Sequence, residues 1–147
     1  MIKYSDIHKA IVRDIKTKYG DITFSTDIEE GITRPSFFIE LDNAVTNDFM
    51  REAMDSEVTC RIYYFPTTID NNRIEIYQVM DNLNELFQGT LLEVNEELKI
   101  EIETIDFSVV DKVLHCYFDL LFSTDYKIID DREMMENLEM ENLELEG

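Results

Sequence analysis

The chain has 147 residues, with 33 acids against 13 Lys plus Arg and a formal charge of −20. That length fits one domain with a real core, and a hydrophobic share of 44% is that of a folded protein. The charge opposes binding to nucleic acid or anionic membrane, two cysteines are too few for a disulfide scaffold, and no apolar run approaches a membrane span. Met1 to Asp6 lacks a signal-peptide core, so a soluble protein of a reducing compartment is expected.

Ile7, Ala10, Ile11 and Ile15 follow helical spacing and predict a first helix over about Asp6–Tyr19, with Ser5 or Asp6 as N-cap and Gly20 as the stop. Its remaining surface, with Lys9, Arg13, Asp14, Lys16 and Lys18, is the only basic stretch and reads as a solvated face. Ile22, Phe24, Thr26 and Ile28 then alternate as a half-buried strand. Gly31 and Pro35 mark a connection. Phe37, Ile39 and Leu41 alternate with Phe38, Glu40 and Asp42 in a second strand. Asn43 to Ser56 is polar and reads as a long loop, either functional or hiding structure of its own. Val58, Cys60, Ile62 and Tyr64 form one face of a third strand that Pro66 ends.

Ile76, Met80, Leu83 and Phe87, widened by Val79 and Leu86, predict a second helix. Asn72 and Glu75 form a candidate capping pair, and Gly89 stands where a left-handed C′ residue belongs. Leu98, Ile100 and Ile102 alternate until the pattern slips near Thr104, which predicts a bulge or a change of sheet. After a turn near Val110-Asp111-Lys112 the chain returns as Leu114, Cys116, Phe118, Leu120 and Phe122, with His115, Tyr117 and Asp119 opposite.

The order α-β-β-β-α-β-β predicts an α+β fold: two helices packed on one face of a mostly antiparallel sheet. Residues 1–129 form that domain and residues 130–147 an acidic arm. The arm holds eight acids and Arg132 as its only base, with Met134, Met135 and Leu138 among its apolar residues. Alone, a helix of that length is marginal in water. The arm should therefore be dispensable for folding and needed for assembly.

Nothing forms a catalytic constellation. There is no P-loop, GxGxxG, GxSxG or HExxH. His8 and His115 fall in different kinds of element. Cys60 and Cys116 sit on apolar strand faces as small core residues. Asp106 with Asp111, and Glu101 with Glu103, read as solvated acids rather than a cation site. No cofactor and no metal are expected. The second face of the sheet carries Phe38, Tyr63, Phe65, His115 and Tyr117, too aromatic for plain solvent and therefore a candidate interface.

Four stretches carry a resemblance. Gly31-Ile32-Thr33-Arg34-Pro35-Ser36-Phe37-Phe38-Ile39 resembles the G-x-x-x-P-x-F-F-I run of a family of phage tail terminator (tail completion) proteins from Gram-positive prophages. Tyr64-Phe65-Pro66 resembles that family's Y-F-P. Val113-Leu114-His115-Cys116-Tyr117-Phe118 resembles its V-L-H-F-x-V strand, and Glu133-Met134-Met135-Glu136 its E-x-M-E tail. Where the family has a basic, glycine-containing stretch, Val45 to Glu52 here has Arg51 alone as a base.

The resemblance implies a non-enzymatic virion protein that assembles in the host cytoplasm. Its ring, commonly of six subunits, caps the tail tube at the head-proximal end. The ring stops tube growth, presents a surface to the head connector and, in contractile tails, also caps the sheath. Arg34 and the arm residues Met134, Met135 and Leu138 are further candidate interface residues, Met being suited to an adaptable contact. From the residues alone, an acidic DNA mimic or inhibitor stands as the alternative, beside another head-tail neck component. A native mass separates the first of these from a ring.

Overall fold

A computed structural model describes residues 3–25, 33–49 and 53–125. The elements run α1 (Tyr4–Tyr19), β1 (Thr23–Ser25), β2 (Ser36–Phe49), β3 (Ala53–Phe65), α2 (Arg73–Phe87), β4 (Leu91–Glu93), β5 (Lys99–Glu101), β6 (Asp106–Val110) and β7 (Val113–Asp125). Five strands form one sheet in the order β1-β2-β3-β7-β6, and β4 pairs with β5 separately. Only β1 and β2 run parallel in the main sheet; its other pairs are antiparallel. This is the expected α+β class and order, with a small β4–β5 ribbon between α2 and the last hairpin. Thr26, Ile28, Gly31, Met50 and the whole arm from residue 130 lie outside the described residues.

The core forms because three strands present the same alternate positions to both helices. Phe37 and Ile39 of β2, Val58, Cys60 and Ile62 of β3, and Leu114, Cys116, Phe118 and Leu120 of β7 line one face. Ile7, Ala10, Ile11 and Ile15 of α1, and Ile76, Val79, Leu83 and Phe87 of α2, pack in the same cluster. Aromatic rings interlock there. Phe37 lies 5.1 Å from Tyr19, 5.9 Å from Phe24 and 4.9 Å from Tyr64, measured between centroids, and Phe87 lies 5.5 Å from Phe118.

The helix ends depart from the sequence reading in an instructive way. α1 begins at Tyr4, and neither Ser5 nor Asp6 caps it. The carbonyl of Lys3 instead accepts from the amides of Asp6 and Ile7, at 2.9 and 3.3 Å. Gly20 ends the helix at φ 65°, donating its amide to the Lys16 carbonyl. Asn72 occupies the N-cap of α2 but makes no side-chain cap. Its amide donates to the carbonyls of Thr68 and Ile69, at 3.0 and 3.1 Å. Glu75 does not complete a capping box either. It accepts from the Tyr64 hydroxyl at 2.6 Å and the Thr67 amide at 2.9 Å. The side-chain caps are replaced because both groups bind the loop between β3 and α2. Burial, with the Glu75 carboxylate second, pushes the Tyr64 phenol well up.

Of the polar segment from Asn43 to Ser56, residues 43–49 and 53–56 are strand and lengthen the antiparallel β2–β3 pair, while 50–52 lie outside the described residues. Asp42 pairs with Thr59, but Val45 pairs with Glu57, so Asn43 and Ala44 oppose Val58 alone. That is a bulge. Asn43 sits in it at φ 53°, a conformation Asn tolerates better than most residues. The slip near Thr104 is a change of sheet: β5 belongs to the ribbon, β6 to the main sheet. Asn95 turns the ribbon, its Oδ1 accepting from the amides of Glu97 and Leu98. Gly89, at φ 68°, leads from α2 into it and donates to the Ile102 carbonyl at 3.0 Å.

β6 and β7 join through Asp111 and Lys112, both at positive φ, between the paired Val110 and Val113. Two such residues make the turn that matches strand twist. Lys112 carries a strained φ without being Gly, but its ammonium pairs with Asp70 and its carbonyl accepts from Asn72 at 3.4 Å. The turn is thus tied to the start of α2.

Cys60 and Cys116 are both buried free thiols. Burial pushes Cys60 well up, and Cys116 up to about 12. Since the thiolate is the reactive form, neither should take iodoacetamide at pH 8 in the native protein. Both should do so after unfolding. Mass spectrometry of the two samples checks this, and a modified native Cys60 would contradict it.

Candidate interaction surface

With both helices on one face, the alternate positions of β2, β3 and β7 point away from the core. Phe38 pairs with Tyr63, Tyr63 with His115, and Arg61 with Tyr117. Their side chains meet as the register dictates. Phe38 stacks on Tyr63 at 5.6 Å, and Tyr63 meets His115 edge-on at 4.7 Å. Arg61 lies 5.4 Å over the Tyr117 ring. All five side chains are half-buried, so the row is formed but uncovered among the described residues.

Charge runs beside the rings. Arg61 Nε donates to Asp42 Oδ2 at 2.9 Å, which raises the Arg61 pKa. The Tyr63 hydroxyl donates to Glu40 at 3.3 Å, and Thr59 donates to Asp119 at 2.8 Å. Burial holds His115 below the usual imidazole range, helped by Arg61, while Asp111 opposes. The row thus has the Glu40 carboxylate beside Tyr63 at its aromatic end and the Arg61–Asp42 pair with Asp119 towards the other.

Beyond it the surface turns apolar again. Val45, Glu57 and Leu121 lie side by side across three strands. Val45 is 50% exposed and Leu121 65%. An open cavity of about 550 Å³ adjoins Leu121, lined also by Thr59 and Tyr117 of the sheet and by Glu101, Glu103 and Asp106. Val45 and Leu121 were missed by the sequence reading. The signal was an apolar residue out of phase with the core positions, as Leu121 is beside Leu120.

Phe65 departs from expectation. It belongs to this side of the sheet, opposite Ser36, but is only 5% exposed. The Arg34 guanidinium lies 5.9 Å over its ring and donates to the Pro66 carbonyl at 3.2 Å. Arg34 thus covers Phe65, and the connection into β2 shields what strand alternation left open. The surface joins Phe38, Tyr63, His115 and Tyr117; Arg34 and Phe65 stand at its end as a closed local pair. Met134, Met135 and Leu138 lie outside the described residues.

Among the described residues no group of His, Cys, Asp and Glu gathers as metal ligands, and no helix is long and apolar enough to cross a membrane. No curated protein sequence matches the chain. A model of the phage tail terminator protein family matches residues 6–136. The chain therefore belongs to the phage tail terminator family, a structural rather than catalytic group whose members act in the virion tail with other tail and head components.

Proposed function

We propose that this protein assembles in the host cytoplasm into a closed ring, of six subunits, on the head-proximal end of the tail tube. The ring stops tube growth and presents the attachment surface for the head connector; in a contractile tail it also caps the sheath. The observation that carries this reading is the uncovered row of Phe38, Tyr63, His115 and Tyr117 on a subunit of this family. Aromatic residues with a charged margin are what interface cores and rims are made of. Because copies of one chain meet through different patches, the contact either closes a ring or runs on as a filament.

The charge of −20 suits a passage for DNA. A lumen lined with Asp and Glu repels phosphate, so DNA slides without adhering. The same charge makes copies repel, so the tube end serves as the template and salt assists closure. The protein itself needs no cofactor, catalyses nothing and holds no nucleic acid. Met134, Met135 and Leu138 of the arm add contacts between subunits, Met being suited to an adaptable surface.

Electron microscopy of tails completed with the purified protein tests this reading. The expected image is one closed six-fold ring at the head-proximal end, with tails lacking the protein overlong or headless. A monomer or dimer by native mass, with tails of normal length in its absence, would point to a DNA mimic instead.

A further inference from the structure

Among the described residues, cations gather on the outer face of α1. His8, Lys9, Val12, Arg13 and Lys16 line a shallow groove of about 410 Å³ there. Its wall is mainly alkyl stem, because Lys and Arg lay their methylenes on the helix and hold the charge outward. Little of that charge is used within the subunit. Arg13 donates to the Glu93 carbonyl at 2.6 Å and to its neighbour Asp14 at 3.3 Å. Lys16 lies 5.8 Å over Phe24. Among the described residues, Lys9 and Lys16 have no carboxylate partner.

The chain holds a segment with the opposite chemistry. Residues 130–147 combine eight acids with apolar residues at 134, 135 and 138, a spacing that makes one stripe on a helical turn. A shallow groove lined by alkyl stems and Val12, with cationic side-chain ends, matches such a segment in both respects. The arm starts beyond Asp125, the end of β7. Residues 134 to 138 follow it by nine to thirteen residues, a reach of about 30–43 Å at roughly 3.3 Å each, enough to leave the subunit.

We propose that the acidic arm of one copy docks in the α1 groove of the next copy, with Met134, Met135 or Leu138 over Val12 and the acids against Lys9, Arg13 and Lys16. This rests on the ring reading, and it names a contact that turns repulsion between acidic copies into attraction at one seam. Groove and arm are different patches, so the contact is head-to-tail and propagates around a ring.

The test uses the full chain. Unlabelled and ¹⁵N-labelled protein are mixed and added to tails purified from a phage lacking it, then joined with a zero-length carbodiimide, which links lysines to touching carboxylates. Lys18–Glu85 and Lys112–Asp70 are ion pairs within the subunit and serve as positive controls. The expected product joins Lys9 or Lys16 to peptides of 130–147, with both isotopes in one crosslink. The pair of exposed changes Lys9→Glu and Lys16→Glu should remove that product and weaken binding to tail ends about tenfold at low salt.

Control links without any from Lys9 or Lys16 would overturn the docking, and so would links confined to one isotope, which place the arm on its own subunit. Rings seen in the same samples with either result would leave the ring reading standing. Absence of rings from the wild-type sample would sink both.

Discussion

Phe38→Asp should yield a subunit that folds and cannot terminate tails. Phe38 is half-buried on the face turned away from both helices, and its main neighbour is Tyr63 at 5.6 Å. Losing that stacked pair costs about 1 kcal/mol, so the melting temperature should fall by only a few degrees. The new carboxylate joins Glu40 and Asp42 on the same strand, and burying it against a partner without a cation costs several kcal/mol. Particles from the mutant phage should show tails of uncontrolled length or tails without heads in the electron microscope. Tyr117→Asp, at the other end of the row, should behave alike. Normal tails and normal head joining with a folded mutant subunit would remove this face from the interface.

The adjacent residue should behave in the opposite way. Phe37 is fully buried and touches the rings of Tyr19, Phe24 and Tyr64, so it ties α1, β1 and β3 to β2. Phe37→Ala removes buried area and leaves a cavity between elements that cannot collapse independently. Such changes cost about 3–5 kcal/mol, a large share of the roughly 5–15 kcal/mol that holds a domain folded. The melting temperature should fall by about 10 °C or more, with part of the protein insoluble on expression. A shift of only a degree or two in a thermal melt would show that this aromatic cluster is not what fastens α1. Two neighbouring phenylalanines should thus separate folding from assembly.

The inward and outward positions are legible in the sequence because burial on one side leaves a period of two. Phe37 and Ile39 point in, Phe38 and Glu40 point out, and the same holds for Cys116 and Tyr117. Where the sheet runs past the helices the signal fades. Val45 and Asn47 are both exposed, so nothing in the composition of the segment marks it as strand. β4 is three residues long with one of them buried, too short to show any period. Asn72 and Glu75 had the spacing of a capping box, but the loop before α2 needed their hydrogen bonds more. Phe65 alternates correctly and is still covered, since a guanidinium brought by Arg34 from a distant turn does what no neighbouring strand does. Contacts made by chain segments far apart leave no local pattern to read.

The pairing of β3 with β7 also governs how the chain reaches its native state. β2–β3 and β6–β7 are both antiparallel pairs of strands adjacent in sequence, able to zip in microseconds. β3 and β7 meet along a register from Tyr64–Leu114 to Ala53–Asp125, and everything from α2 to β6 lies between them. Closing that long loop comes before any of the seam's contacts reward it. The seam should therefore be the slow step: in stopped-flow refolding, mutations at Cys60, Ile62, Cys116 or Phe118 should slow folding, whereas those in β1 or the ribbon should mainly speed unfolding.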